Sequence, residues 1–154
     1  MKAITITQPW ATLVAIGAKT IETRDWETHF RGPIAIHAAK GFPPEARALV
    51  TTKPFVDVLG TMELPTAQII AVATLSHCFQ FSARAERWVR ERSARELLPT
   101  FEADFGDFAA GRYGFILEDV CRLEKPIYAR GQLGLWNLPT LAERELAEQL
   151  KAVA

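Results

Sequence analysis

The chain has 154 residues, of which 49% are hydrophobic and 23% are charged, a composition that excludes disordered, collagen-like and coiled-coil proteins. Its 18 basic residues balance its 18 acidic ones, so no overall positive field attracts a long polyanion, and any nucleic-acid site has to be a local patch. A chain of this length suits one hydrophobic core, and we predict a single domain over 1–154.

Cysteine usage and the N-terminal residues indicate a reducing compartment. Cys78 and Cys121 lie far apart without Cys-x-x-Cys spacing, and residues 1–4 lack the apolar core of a signal peptide. The longest apolar runs, such as 69–75, are much shorter than the roughly 20 residues that a membrane helix needs. We therefore expect a cytoplasmic chain with no membrane partner.

Short strands and helices alternate along the first part of the chain. Isoleucines alternate with threonines in a strand over 4–7, and Pro9 suits the first position of a helix that Gly17 ends. Strands are predicted over 20–26 and 34–37 and a helix over 45–52, with 56–60 as a loop or strand fragment. Lys19 thus falls in the turn after the first helix.

The second half of the chain continues this mixed pattern. Residues 69–75 are apolar on both faces, as in a central strand, and further strands are predicted over 113–117 and 131–136. The helix predicted over 83–98 interleaves arginines with glutamates, which favours an ion-paired face over a polyanion patch. Thr140 and Glu143 predict a capping box for the last helix. The pattern indicates a mixed α+β fold, a small barrel rather than a doubly wound sheet.

The densest group of chemically active side chains lies between residues 8 and 40. It comprises Lys19, Glu22, Arg24, Trp26, His37 and Lys40. The period of two in a strand places Glu22, Arg24 and Trp26 on one face. The group converges on one cleft if the strands are neighbours. The alternative is an ion pair between Arg24 and Glu22 or Glu27 on a solvated sheet face.

Several kinds of chemistry lack the residue patterns that they need. The histidines and cysteines show no metal-ligand spacing, and there is no Gly-x-Ser-x-Gly elbow, phosphate-binding glycine loop or dinucleotide fingerprint. The sequence therefore predicts no metal and no cofactor. Two kinds of catalysis by Lys19 stay open. Lys19 acts as a base beside Thr20 and Thr23 if burial lowers its pKa, or it forms an acid–base pair with Glu22.

Five segments carry a pattern that extends over residues 4–138. The first three read Thr7-Gln8-Pro9-Trp10, Gly17-x-Lys19-x-x-Glu22-x-Arg24-x-Trp26 and Arg31-Gly32-Pro33-x-x-Ile36-His37-x-x-Lys40. The last two read Gly111-Arg112-Tyr113-x-Phe115 and Pro126-x-x-x-x-Gly131-x-Leu133-Gly134-Leu135-Trp136. In order and spacing, these segments resemble the ASCH domain, a member of the PUA-like superfamily.

The resemblance implies a small PUA-like β-barrel with surrounding helices and a cleft for single-stranded RNA or a nucleotide-like ligand. The implied nucleic-acid-binding residues are Gln8, Trp10, Lys19, Glu22, Arg24, Trp26, His37, Lys40 and Tyr113. In this interpretation the cations neutralise phosphate or hold a base edge, and the aromatic rings stack on bases. Glu22 accepts a hydrogen bond from a base amino group or orients Arg24.

Two alternatives to a binding module remain open. Some ASCH relatives are ribonucleases, or amidohydrolases that remove an acyl group from a modified cytidine. This implies a metal-independent hydrolase with Lys19 and Glu22 as catalytic residues. The amidohydrolase pattern has a nucleophilic threonine three residues after the lysine, where this chain has Glu22. The other alternative is a protein-interaction adaptor, whose arginine-rich or C-terminal helix binds a partner that the sequence does not identify.

Overall fold

The computed structural model describes residues 1–94 and 102–153, and of residues 92–94 and 153 only the backbone. In chain order the elements are β1 (Lys2–Ile6), α1 (Trp10–Ala15), β2 (Ile21–Arg24), β3 (Gly32–Ala38), α2 (Pro44–Leu49), α3 (Phe55–Leu59), β4 (Gln68–Gln80), α4 (Ala83–Ala94), a 3-10 turn (Glu102–Asp104), β5 (Tyr113–Tyr128), β6 (Leu135–Asn137) and α5 (Thr140–Val153). Residues 95–98 of the predicted arginine-rich helix lie outside the described residues. Within the described ranges, no helix combines the length and the apolar character needed to cross a membrane.

The strands form one curled sheet with the order β2-β5-β4-β3-β1-β6. β1 and β3 are parallel, and the other neighbours are antiparallel. The longest strands, β4 with 13 residues and β5 with 16, pair through several shifts of register, and such irregularities bend and twist a sheet. The result is a half-barrel with surrounding helices, which confirms the predicted mixed α+β fold.

Both faces of the sheet are covered by apolar side chains. One face packs against α1 through residues such as Ile4 and Ile36. The opposite face packs against α5 through residues such as Ala3 and Trp136. Because side chains alternate along a strand, Thr5 follows Ala3 onto the α5 face. The side of the sheet on which a polar side chain lies therefore determines which cleft it can line.

The prediction of a loop or strand fragment over 56–60 is wrong, because Phe55–Leu59 forms α3. Phe55 and Leu59 lie one helical turn apart, and both are buried in a cluster with Leu13 and Phe105. Gly60 follows the helix with a positive φ of 54°. A helix of 5 residues is too short to be recognised by its periodicity, so tertiary packing determines its conformation.

Several other boundaries differ from the prediction, among them those of α2 and β6. The helix expected over 45–52 is the shorter α2. The strand expected over 131–136 is reduced to β6, because the chain before it turns at Gly134, whose φ is 64°. Residues 131–134 are therefore a loop, and this loop becomes part of a cleft described below.

The capping box predicted for Thr140 and Glu143 is wrong. The Glu143 carboxylate instead forms an ion pair with the amino group of Met1. The backbone N–H of Leu138 donates to the Met1 carbonyl at 3.0 Å, which brings the start of α5 next to the start of β1. The tertiary contact therefore takes the carboxylate that a local cap would use.

Candidate functional site

A cleft of ≈ 640 Å³ opens where the end of β1 faces β2, the start of α1 and the 3-10 turn. We call it the first cleft, and its walls include Trp10, Lys19, Glu22, Arg24, Asp107 and Arg112. Its volume lies within the range of about 300–1,000 Å³ that is typical of small-molecule sites. Glu22 and Arg24 both reach the cleft because alternate residues of β2 share one face.

Lys19 lines the first cleft but is only 1% exposed. Gly17, with a φ of 75°, lets the chain turn after α1, and the Lys19 backbone N–H donates to the Leu13 carbonyl at 3.1 Å. The Lys19 Nζ donates to the Ile21 carbonyl at 2.5 Å and lies 3.8 Å from Glu22 Oε2. The turn and these contacts hold the amine of Lys19 beside the Glu22 carboxylate.

The surroundings of Lys19 shift its pKa below the ordinary value. Burial is the largest influence and lowers the pKa of Lys19. The carboxylates of Glu22 and Glu102 oppose this shift, and the guanidinium groups of Arg24 and Arg112 lower the pKa further. Lowering the pKa of a lysine decreases the fraction of ammonium that can bind phosphate and increases the fraction of neutral amine that can accept a proton.

Arg24 links two strands that are far apart in the sheet. Its Nε lies 3.1 Å from Glu22 Oε1, and its Nη2 donates to the backbone carbonyl of Thr5 at 2.7 Å. Three strands separate β2 from β1 in the sheet order, so this hydrogen bond crosses the opening of the half-barrel. The Arg24–Glu22 ion pair is therefore present, but it lies on the wall of a cleft and not on an open sheet face.

Glu102 supports this site, although it was not among the residues predicted from the sequence. Its side chain is 0% exposed. Its Oε2 accepts hydrogen bonds from the Thr20 backbone N–H at 2.6 Å and from the Thr20 hydroxyl at 2.8 Å, and its Oε1 accepts one from the Ile21 N–H at 3.1 Å. These bonds fix the backbone that follows Lys19. No local pattern marks Glu102, because its partner Thr20 is 82 residues away.

The charges of the first cleft are paired with one another. Its charged side chains are the cations Lys19, Arg24 and Arg112 and the carboxylates Glu22, Asp25, Asp104 and Asp107. Each cation has a carboxylate oxygen within 3.8 Å, and Arg112 Nε lies 3.3 Å from Asp107 Oδ2. Carboxylates therefore outnumber cations, and the first cleft is not a basic groove.

Five of the predicted binding residues lie outside the first cleft, and three of these, Gln8, Trp26 and Tyr113, lie apart from the other two. Gln8 is buried, and its amide is hydrogen-bonded to two backbone groups at 2.7 and 3.1 Å. Trp26 packs edge-to-face on Phe115, with ring centroids 5.1 Å apart. Tyr113 lines a smaller cleft of ≈ 190 Å³. The structure thus brings Trp10, but not these three side chains, together with Lys19, Glu22 and Arg24.

His37 and Lys40 line a different cleft of ≈ 570 Å³. We call it the second cleft, and its walls include Thr5, His37, Lys40, Tyr128, Arg130 and Leu133. Thr5 lines both clefts. Its carbonyl binds Arg24, whereas its hydroxyl accepts a hydrogen bond from Trp136 Nε1 at 3.1 Å. Six of the residues predicted to form one site are therefore divided between two clefts that share β1, four in the first and two in the second.

Comparison with known proteins identifies the family of the chain. The family model for the ASCH domain matches residues 4–128. The crystal structure of ASCH from Zymomonas mobilis is similar with a TM-score of 0.56 at 18% sequence identity, over 96% of this chain and 93% of that chain. A mutant of the Zymomonas mobilis ASCH protein gives a TM-score of 0.55 at 18% identity, over 96% of each chain. No curated protein matches the chain.

The family match covers most of the chain and agrees with the five segments that carry the resemblance. The solved structures, at 18% identity, show the shared fold alone. Together they confirm the predicted family and the PUA-like half-barrel. The chain therefore belongs to the ASCH family, whose PUA-like fold is generally linked to RNA binding.

Proposed function

We propose that the chain is a cytoplasmic module that binds single-stranded RNA, or a modified nucleotide, through the first cleft. The observation that carries this proposal is the series of contacts from Lys19 through Glu22 to Arg24, in a cleft that Trp10 also lines. Recognition of an unstacked base requires such a set of fixed polar groups beside an aromatic ring. The general link between the family and RNA binding supports the same function.

The polar groups of the first cleft suit the edge of a base. The Glu22 carboxylate accepts a hydrogen bond from an exocyclic amino group, and the Arg24 guanidinium donates to a base carbonyl or ring nitrogen. The partly exposed Trp10 ring offers a surface for stacking, which contributes on the order of 1–3 kcal/mol per base. Because carboxylates outnumber cations here, phosphate groups contribute little to binding in this cleft.

Fluorescence anisotropy with a labelled single-stranded RNA of mixed sequence tests the proposal. We expect saturable binding of modest affinity, and we expect Trp10→Ala to weaken it about tenfold, which corresponds to about 1.4 kcal/mol of lost stacking. Trp88→Ala is the matched control, because Trp88 is 44% exposed on α4 and does not line the first cleft. We expect this control to bind like the wild type.

Two outcomes would contradict the proposal. One is the absence of saturable binding by the wild type, and the other is an equal loss of affinity in Trp10→Ala and Trp88→Ala. Trp10 also packs on Phe55, with ring centroids 6.3 Å apart. Urea unfolding of both variants therefore accompanies the binding measurements, so that a folding defect is distinguished from a lost contact.

The same cleft supports a second candidate function, a metal-independent hydrolase acting on RNA or on an acylated cytidine. The lowered pKa of Lys19 favours it, because a lower pKa makes the amine beside Glu22, at 3.8 Å, easier to deprotonate for use as a base. Thr20 is not among the described residues that line the first cleft, and its hydroxyl donates to the buried Glu102, so this candidate uses water or a ribose 2′-hydroxyl as the nucleophile. The test compares turnover of both substrates by the wild type and Glu22→Gln. Equal rates exclude Glu22 from catalysis, and no turnover by the wild type contradicts this candidate.

A further inference from the structure

The second cleft carries cations without carboxylates. Among the described side chains, its charged lining residues are Lys40 and Arg130, and no Asp or Glu lines it. Both side chains are exposed, and within residues 1–94 and 102–153 neither has an ion pair or a side-chain hydrogen bond. Unpaired cations in a concave surface create a local positive potential, even though the formal net charge of the chain is zero.

The backbone that carries Arg130 is fixed by buried side chains. His37 is 1% exposed, and its Nε2 lies 2.9 Å from the carbonyl oxygen of Ala129. Gly131 packs so closely that a Cβ would lie 2.6 Å from His37 Cε1 and 2.9 Å from Thr5 Oγ1. These contacts hold residues 129–131 in place before a ligand binds, which reduces the entropic cost of binding.

Two exposed side chains border the cations of the second cleft. Tyr128 is 75% exposed and Leu133 is 98% exposed, although large hydrophobic side chains are usually buried. Sites for single-stranded nucleic acid combine cations that follow the backbone with aromatic rings on which bases stack. The juxtaposition of Lys40, Arg130 and Tyr128 therefore suits a nucleic-acid strand better than an acidic protein surface, which offers no base to stack on the ring.

We propose that the second cleft binds the phosphodiester backbone of single-stranded RNA, with Lys40 and Arg130 contacting phosphates and Tyr128 stacking on a base. This inference rests on the proposed function, because the same RNA strand places another base in the first cleft. Thr5 lines both clefts, so the strand passes from one to the other across the end of β1. The first cleft, where carboxylates predominate, then recognises a base, and the second cleft, where cations are unpaired, binds phosphates.

The salt dependence of RNA binding tests this proposal. For single strands, the logarithm of the association constant falls with the logarithm of salt concentration by about 0.7 per neutralised phosphate. We expect the double variant Lys40→Gln/Arg130→Gln to reduce the steepness of this salt dependence by about 1.4. When the salt concentration rises fourfold, the loss of affinity should therefore be about seven times smaller in the double variant than in the wild type.

A matched control removes one lysine and one arginine elsewhere. Arg144 and Lys151 are exposed on α5, and we expect Arg144→Gln/Lys151→Gln to keep the wild-type slope. Tyr128→Ala is expected to weaken binding about fivefold without changing the slope, because stacking on a base is not electrostatic. Inorganic phosphate and a nucleoside monophosphate serve as competitors that separate RNA backbone binding from binding of a free nucleotide.

The outcomes distinguish the second cleft from the proposed function. A wild type that binds no RNA contradicts the proposed function and this inference with it. RNA binding with the same salt dependence in the wild type and Lys40→Gln/Arg130→Gln overturns the proposed role of the second cleft and leaves the first cleft untouched. The same conclusion follows if Arg144→Gln/Lys151→Gln reduces the salt dependence as much as Lys40→Gln/Arg130→Gln does. Displacement of RNA by the free mononucleotide at the affinity of RNA itself overturns backbone binding in favour of a nucleotide site.

Discussion

The two clefts of this half-barrel share Thr5 and differ in how their charges are arranged. In the first cleft each cation lies beside a carboxylate, so charge pairing holds the walls together. In the second cleft Lys40 and Arg130 face no carboxylate from the part of the chain that the structure describes, so their charges are available to a ligand. A balanced total charge therefore conceals a local excess of cations, and the location of unpaired charges is more informative than their total number.

The largest expected effect is that of Glu102→Ala on the first cleft. This change leaves the backbone N–H groups of Thr20 and Ile21 without their acceptor, and each unsatisfied buried group costs about 1–3 kcal/mol. We expect the free energy of unfolding, measured with urea, to fall by about 3 kcal/mol. Asp104→Ala changes an exposed neighbour and is expected to cost less than about 0.5 kcal/mol. Similar losses in both variants would show that Glu102 does not support the cleft.

The corresponding change in the second cleft is Gly131→Ala. The added methyl group meets the buried His37 ring, which cannot move without losing its contact with Ala129. Overpacking of this kind costs about 1–3 kcal/mol, and urea unfolding measures it. Gly41→Ala is the control, because no atom lies within 4 Å of a Cβ at Gly41. If the two variants are equally stable, the loop that carries Arg130 is not fixed against His37.

A third prediction concerns the pH dependence of stability, which the burial of Lys19 controls. Its folded-state pKa lies below the ordinary value of 10.5, so between these two values the unfolded chain binds more protons than the folded one. The free energy of unfolding therefore rises with pH through this window, by at most about 1.4 kcal/mol per pH unit. We expect Lys19→Met to remove this rise in urea unfolding measured at several pH values. An unchanged slope would mean that Lys19 keeps its ordinary pKa in the folded chain.

The smallest expected effect is that of Thr5→Val, a change at the residue that both clefts share. Thr5→Val removes the hydroxyl that accepts the Trp136 hydrogen bond but keeps the carbonyl that binds Arg24. We expect a loss of about 1 kcal/mol in the free energy of unfolding, with the effect of Trp10→Ala on RNA binding unchanged. Thr5→Ser retains the hydroxyl and should match the wild type. If Trp10→Ala no longer weakens RNA binding when Thr5→Val is also present, the two clefts do not act independently.

The parts of the site that are close in sequence were predictable. The strand period placed Glu22 and Arg24 on one side of β2, and Gly17 placed Lys19 in the turn before them. Glu102 was not predictable, because its hydrogen bonds join segments 82 residues apart and hydrophobic periodicity carries no information about such pairs. The helix α3 was missed for a related reason, since its conformation depends on packing against Phe105.

The division into two clefts also depends on information that a single strand does not carry. His37 pairs with Thr5 in the parallel register of β1 and β3, so both side chains leave the sheet on the α5 face. Arg24 instead approaches Thr5 through the main-chain carbonyl. Periodicity shows which residues of one strand share a face, but the relative position of two strands is set by the sheet.

The shared strand also sets a minimum size for a ligand that fills both clefts. β1 is hydrogen-bonded to β3 on one side and to β6 on the other, so the distance between the clefts cannot change without breaking the sheet. The half-barrel thereby fixes the length that a ligand needs in order to occupy both clefts. If the proposed RNA binding holds, we expect oligonucleotides too short to reach from one cleft to the other to gain only part of the available affinity, and nucleotides beyond that reach to add little.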